Sequence, residues 1–263
     1  MTRRSSKTRH LLAFALPIAV AGTVALTGYS LSERASALPA AAPHAAAATP
    51  AAPVLVELYQ SEGCSSCPPA EAYLNSIADR PNVIPLAFEV TYWDYLGWKD
   101  KFASPAYTQR QRDFAARSAD HEVATPQFWI NGQRTVVGAN PRAVEAAIAA
   151  VRPLAPVPSV NANGVTIAKG AAPTQAATVW LVRYDPRVIQ VPIKAGENGG
   201  RTLPHRNLVR ELTQLGEWKG AAAHFAFAPA TGGLRNAVFL QDGRGGAVLS
   251  AGSDAMPGRV ALR

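Results

Sequence analysis

From residue 53 to residue 152 the hydrophobic pattern switches between short apolar runs and stretches of helical spacing. Val54–Tyr59 is nearly continuous, which predicts a strand buried on both faces. Ser61 and Gly63 then turn the chain, and Ala70, Tyr73, Leu74, Ile77 and Ala78 recur at the spacing of one helix face. Pro68 and Pro69 fit only a first helical turn, where the missing N–H groups have no intrahelical partner anyway. A helix is therefore expected from near Ser65 or Ser66 to about Ala78. Ile84–Val90 predicts a second strand and completes a parallel strand–helix–strand crossover. Ser104 followed by Pro105 predicts the cap and first residue of a helix reaching Ser118. Thr125-Pro126 leads into a third strand, Gln127–Ile130, and Asn131-Gly132 predicts a hairpin into a fourth, Arg134–Val137. Asn140 and Pro141 open a last helix whose inner face carries Val144, Ile148 and Val151.

Beyond the proline-spaced linker Arg152–Pro158 the pattern changes to short alternating runs separated by turn residues. Asn163-Gly164 lies between two such runs. Thr178–Tyr184 and Val188–Ile193 flank Asp185-Pro186, and Ala237–Leu240 and Ala247–Leu249 flank Asp242–Gly246. This predicts a second, β-rich, sandwich-like domain over residues 157–256, after an α/β domain over 53–152. Asn207–Leu215 has apolar spacing that fits either a strand or a helix.

Residues 1–37 change the picture of where the protein works. A cationic start (Arg3, Arg4, Lys7, Arg9) precedes the uncharged stretch Leu11–Leu26 and the small residues Ala35-Ser36-Ala37. That order predicts a secretory signal, with an uncleaved N-terminal anchor as the alternative. Residues 38–52, almost all Ala and Pro, read as a disordered linker. The expected location is outside the cytoplasm: periplasmic, secreted or envelope-associated, with membrane contact only through an uncleaved N-terminal segment. Net charge is +8, but the first ten residues carry half of it and +4 remains on residues 38–263. No Lys/Arg run occurs outside the N-terminus, so nucleic-acid binding is not expected.

Cys64 and Cys67 are the only cysteines, spaced Cys-x-x-Cys between the first strand and the first helix. The positive end of a helix stabilises a thiolate, the reactive form of cysteine. Three readings are open: redox chemistry, metal transfer and a structural staple. A staple across two residues removes little chain entropy. Zinc needs four ligands, and no second Cys-x-x-Cys supplies the other two. Neither a metal nor a cofactor is expected. Gly196–Leu203 is glycine-rich but lacks a phosphate-loop lysine.

Strand–helix–strand, helix, hairpin, helix, with Cys-x-x-Cys after the first strand, resembles the thioredoxin fold over residues 53–152. The resemblance implies that Thr125-Pro126 is a cis pair beside the dithiol, exposing the Thr125 backbone to a bound peptide. It implies Cys64 as the exposed nucleophile and Cys67 as the resolving thiol. It also points to Glu57 as a buried acid that moves protons for the second cysteine, though Glu57 stands one residue further from the first cysteine than that pattern has it. A strand-edge charge is the alternative reading of Glu57. Glu62 reads as solvated. The aromatics of Tyr92–Trp98 either wall the dithiol or form satellite core, and His121 reads as a surface residue.

The segments Val56–Glu71 (with Cys64-Ser-Ser-Cys67-Pro-Pro), Tyr92–Asp100, Thr125–Gln127 and Gly196–Leu203 together resemble a bacterial secreted thioredoxin-like family of unknown function (domain-of-unknown-function family 1223). One departure is Glu89-Val90-Thr91, where family members tend to read His-Val-Asp. The resulting expectation is an exported thiol–disulfide oxidoreductase. Its partners would be a thiol- or disulfide-bearing protein or a small-molecule thiol, together with an electron partner. The alternatives are a copper-handling protein, using Cys64 and Cys67 with His121, and a non-enzymatic envelope binding module.

Overall fold

The computed structural model describes residues 52–255. The expected signal or anchor (1–37) and nearly all of the Ala/Pro linker (38–51) lie outside the described residues. In chain order the elements are β1 (Val54–Gln60), α1 (Pro68–Ser76), β2 (Val83–Glu89), α2 (Pro105–Arg117), β3 (Gln127–Ile130), β4 (Arg134–Val137) and α3 (Pro141–Ala150). Then follow β5 (Ser159–Val160), β6 (Gly164–Ile167), β7 (Ala177–Asp185), β8 (Ile189–Pro192) and β9 (Thr202–His205). The last are β10 (Leu208–Trp218), β11 (Ala223–Ala226), β12 (Arg235–Asp242) and β13 (Val248–Ser253). The fold is mixed α/β with few helices and one large sheet.

The first seven elements follow the expected order because their local signals agree. Ser104 accepts from the Ala106 amide and Asn140 from the Ala143 amide, so both proline-led helices are capped by side chains. Helix α1 starts later than expected, at Pro68, because the Cys67 amide closes a turn on the Cys64 carbonyl at 3.2 Å and Cys67 becomes the N-cap. The segment after Asn207 is a strand.

Eight strands form one sheet in the order β13-β12-β7-β10-β2-β1-β3-β4. The boundary expected at 152–157 therefore does not separate two sheets. Strand β10 runs parallel to β2, with Leu208 beside Ala87. Pro85, in the middle of β2, has no N–H to give, and its carbonyl accepts from the Asn207 side-chain amide at 2.9 Å. Strands β7, β12 and β13 continue the sheet in antiparallel pairs. The sandwich character expected for residues 157–256 survives only locally. The three-stranded sheet β11-β6-β5 lays Val165 and Ile167 against Val179, Leu181, Val238 and Leu240 of the large sheet. The two runs around Asp185-Pro186 do not pair with each other, since β8 pairs with β9 in a hairpin of its own.

The period of two along β1 sorts side chains between two cores. Val54, Val56 and Leu58 face α1, α3 and the β8–β9 hairpin. Leu55 and Tyr59 face α2 together with residues of β7, β12 and β13, so the sheet curls around that helix. Glu57 lies on this second face. Its carboxylate takes both Nε and an Nη of Arg110, at 2.7 and 2.8 Å, and accepts the Tyr59 hydroxyl at 2.8 Å. Arg110 also reaches Gln241 of β12 at 2.8 Å, joining the two arms of the curl. Glu57 is thus neither a strand-edge charge nor an acid beneath the helix that follows Cys67.

Removing one partner of a buried ion pair leaves the other charge uncompensated, whereas removing both is far milder. Arg110→Ala is expected to lower unfolding free energy by about 3–5 kcal/mol in urea titrations. Combining Arg110→Met with Glu57→Leu should recover most of that loss.

Candidate functional site

Cys64 and Cys67 are free thiols at the entrance to α1. The Cys64 sulfur lies 3.2 Å from the Ser66 hydroxyl and 3.7 Å from the Thr125 carbonyl. The Thr125-Pro126 bond is cis. Trp93 donates its indole N–H to the Thr125 hydroxyl at 2.7 Å and fixes that residue beside the sulfur. The structure therefore brings together four of the five sequence-predicted site residues, Cys64, Cys67, Thr125 and Pro126, and sets Glu57 on the other face of the sheet.

The two thiols differ strongly in acidity. Cys64 is lowered to about 6, chiefly by hydrogen bonding from the Cys67 thiol, with further help from Ser66 and Thr125 against the opposing effect of burial. Burial is the main reason the Cys67 thiol is raised, and the neighbouring Cys64 and Glu89 charges push it the same way. Most Cys64 is therefore thiolate at neutral pH, while Cys67 keeps its proton. Cys64 is not exposed as expected: it is 0% accessible and Cys67 is 3% accessible. Only the intervening Ser65 and Ser66 face solvent.

The loop between β8 and β9 covers this turn. Asn198 donates its side-chain amide to the carbonyls of Glu62 and Cys64, both at 2.9 Å, and Arg201 holds the Asn198 oxygen at 2.6 Å. Glu197 accepts from the Ser65 amide at 3.0 Å and the Ser65 hydroxyl at 2.6 Å. Gly196 adopts a left-handed conformation (φ 75°) that lets this loop approach the backbone of Gly63. The Gly-rich run Gly196–Leu203 is thus an internal clamp on the dithiol turn. Sequence reasoning missed it because its partner lies about 130 residues away.

Beneath the turn is a buried polar cluster. Glu62, expected to be solvated, is fully buried and accepts the Trp98 indole N–H at 2.6 Å. Burial, followed by the charge of Asp100, lifts Glu62 to about 7. Glu89 at the end of β2 is raised well above the usual carboxylate range by burial, then by Asp100 and Glu71. Burial favours neutral His205, but the carboxylates around it, Glu71 foremost, outweigh that and raise its pKa. Glu71, Glu89 and His205 are the only group of three metal-capable side chains gathered together among the described residues. The cysteines do not belong to that group. His121 is exposed, and its ring nitrogen lies 3.2 Å from the Ala115 carbonyl, so it does not join Cys64 and Cys67.

The model of the family described as "Protein of unknown function (DUF1223)" matches residues 55–241. The chain belongs to this family. Within DUF1223 terms, the match spans both the dithiol turn and the clamp that holds it. No curated protein matches the chain. Among solved structures, protein AGR_C_4864 from Agrobacterium tumefaciens is similar over 78% of this chain and 95% of its own, with 28% identity and a TM-score of 0.67. HBP35 of Porphyromonas gingivalis shares the fold over 79% of this chain and 76% of its own, at 11% identity and a TM-score of 0.52.

Two outcomes follow from this geometry. The iodoacetamide alkylation rate of Cys64 should follow an ionisation midpoint near 6, falling about tenfold per pH unit below it and levelling above it, because thiolate is the reacting form. Asn198→Ala strands two buried carbonyls and should cost about 1–3 kcal/mol in denaturant unfolding while speeding Cys64 alkylation.

Proposed function

We propose that this protein is a thioredoxin-like thiol–disulfide oxidoreductase that works outside the cytoplasm. The observation that carries this reading is the placement of two free thiols at the entrance to α1, with the Cys64 sulfur beside the cis Thr125-Pro126 pair; the lowered Cys64 and raised Cys67 acidities support it. Exchange needs that division, since the attacking sulfur must be a thiolate and the resolving sulfur must wait. The cis Thr125-Pro126 bond, with the Thr125 carbonyl beside the Cys64 sulfur, supports a peptide-bearing substrate at the same edge. The cationic, then apolar, N-terminus supports export.

In the reducing direction, Cys64 thiolate attacks a substrate disulfide. A Cys64–substrate bond forms and one substrate thiolate leaves. Cys67 then loses its proton and attacks the Cys64 sulfur, releasing the second substrate thiolate. Two electrons pass from the dithiol to the substrate, and an extracytoplasmic thiol donor restores the pair. The sealed Cys64 requires the Ser65-Ser66 turn to move first. Opposing that motion are the buried Asn198 bonds to the Glu62 and Cys64 carbonyls and the solvent-facing Glu197–Ser65 contact, which water readily replaces.

The test is exchange with a model disulfide such as oxidised glutathione or an insulin disulfide. Cys64→Ser is expected to abolish turnover, and Cys67→Ser to retain the first step and accumulate a mixed disulfide visible by mass spectrometry. Full turnover by Cys64→Ser, or no mixed disulfide with Cys67→Ser, rules the reading out.

A further inference from the structure

The cluster beneath the dithiol turn gathers four buried carboxyl groups around a single imidazole. Glu62, Glu71, Glu89 and Asp100 are all buried, and the one cationic group among them is the His205 imidazole. Among the described residues no Lys or Arg forms an ion pair with any of the four. The nearby Lys101 and Arg210 instead lie over the faces of the Phe102 ring, at 5.0 and 4.9 Å from its centre. Burying a carboxylate without a counter-charge costs several kcal/mol even after relaxation. On the opposite face of the same sheet Glu57 escapes this cost through Arg110.

The polar atoms that remain without partners point to what is missing. Gln60, 1% accessible, donates its side-chain amide to Glu71 at 3.1 Å and to Glu89 at 2.8 Å, while its own oxygen has no hydrogen-bond partner among the described residues. The same holds for one oxygen of Glu62 and for the Nε2 of His205, itself 1% accessible. His205 Nδ1 lies against the Glu71 carboxylate and 3.8 Å from a Glu89 oxygen, and its Nε2 stands 3.9 Å from the free Glu62 oxygen. One ligand atom from each of Glu71, Glu89 and His205 lies within 4.8 Å of the other two.

We propose that Glu71, Glu89 and His205 bind one divalent first-row transition ion, of the zinc or manganese class, beneath the dithiol turn. A dication offsets two of the buried carboxylates at once. An imidazole nitrogen with carboxylate oxygens suits these metals. Calcium is disfavoured because it wants six to eight oxygens and has little use for nitrogen. Gln60 is the positioning residue: by bonding to both acids it aims their oxygens at the imidazole. The unpartnered Glu62 oxygen is the nearest additional donor. The ion would enter as the chain folds, since α1, β2 and the β8–β9 hairpin each supply one ligand and enclose the site. The site contains no cysteine, so this inference stands apart from the redox reading.

The experiment uses the full chain carrying Cys64→Ser and Cys67→Ser, which removes thiolate ligands. The protein is unfolded with EDTA, freed of chelator, refolded with zinc, desalted and analysed for metal. The expected result is close to one zinc per chain, a higher melting temperature than without zinc, and an X-ray absorption spectrum showing a nitrogen/oxygen shell with imidazole scattering. Adding His205→Ala or Glu71→Gln should weaken zinc retention at least about tenfold, as loss of a ligand or its support does in metal sites. Failure of the folded Cys-free chain to retain zinc overturns the proposal, as does retention unchanged in both ligand variants. A shell without imidazole also overturns it, and that measurement needs no ligand variant to fold.

Discussion

A short parallel contact between β2 and β10 determines what the rest of the molecule can do. Leu208 lies beside Ala87, the Ala87 amide donates to the Asn207 carbonyl at 3.0 Å, and the Asn207 side chain supplies Pro85 with the donor a strand partner would have given. Asn207 takes a left-handed conformation to do this (φ 55°), a region that asparagine tolerates better than most residues. Through this seam an α/β unit and a β-rich unit become one sheet. The hairpin just before the seam, β8–β9, is thereby laid over α1, where it delivers His205, Asn198 and Glu197 to the dithiol end of the first unit. Without the seam, the clamp and the buried cluster would have no second wall.

The two faces of β1 show two answers to burying a carboxylate. On the α2 face, Glu57 meets a bidentate Arg110 and a tyrosine hydroxyl, and its oxygens are satisfied by geometry alone. On the α1 face, Gln60 meets Glu71 and Glu89 with only an imidazole nearby, and several polar atoms stay unpaired. The difference lies in the partner: a bidentate guanidinium on one face, a single imidazole shared among several carboxyls on the other.

Much of the architecture was legible because its signals are local. Ser104-Pro105, Asn140-Pro141 and Asn131-Gly132 each encode a cap or a turn within a few residues, and those elements form where the pattern puts them. The dithiol and the Thr125-Pro126 pair were equally legible. What failed depended on parity and on distance. Glu57 was matched to a proton-handling acid despite a one-residue offset, and in a strand one residue reverses the face. Glu62 beside a cysteine looked solvated because nothing nearby in sequence buries it. Its cover is Trp98 and the Asn198 loop, which arrives from the far side of the seam. Glu89 carried a signal that could have been used: it stands where the family tends to place a histidine, a hint that this position faces a polar site.

The covered state of Cys64 is compatible with its low pKa. The thiolate is stabilised by groups within reach of the sulfur, chiefly Cys67, then Ser66 and Thr125. The turn above the sulfur is held by Glu197 at Ser65 and by Asn198 at the Cys64 carbonyl. A reactive sulfur beneath a cover gives an apparent rate equal to its intrinsic rate multiplied by the open fraction. The acid–base chemistry of the site and its accessibility thus draw on residues that overlap at Ser66. The first lies in the dithiol turn and the segment preceding β3, and the second adds the hairpin loop that the seam positions.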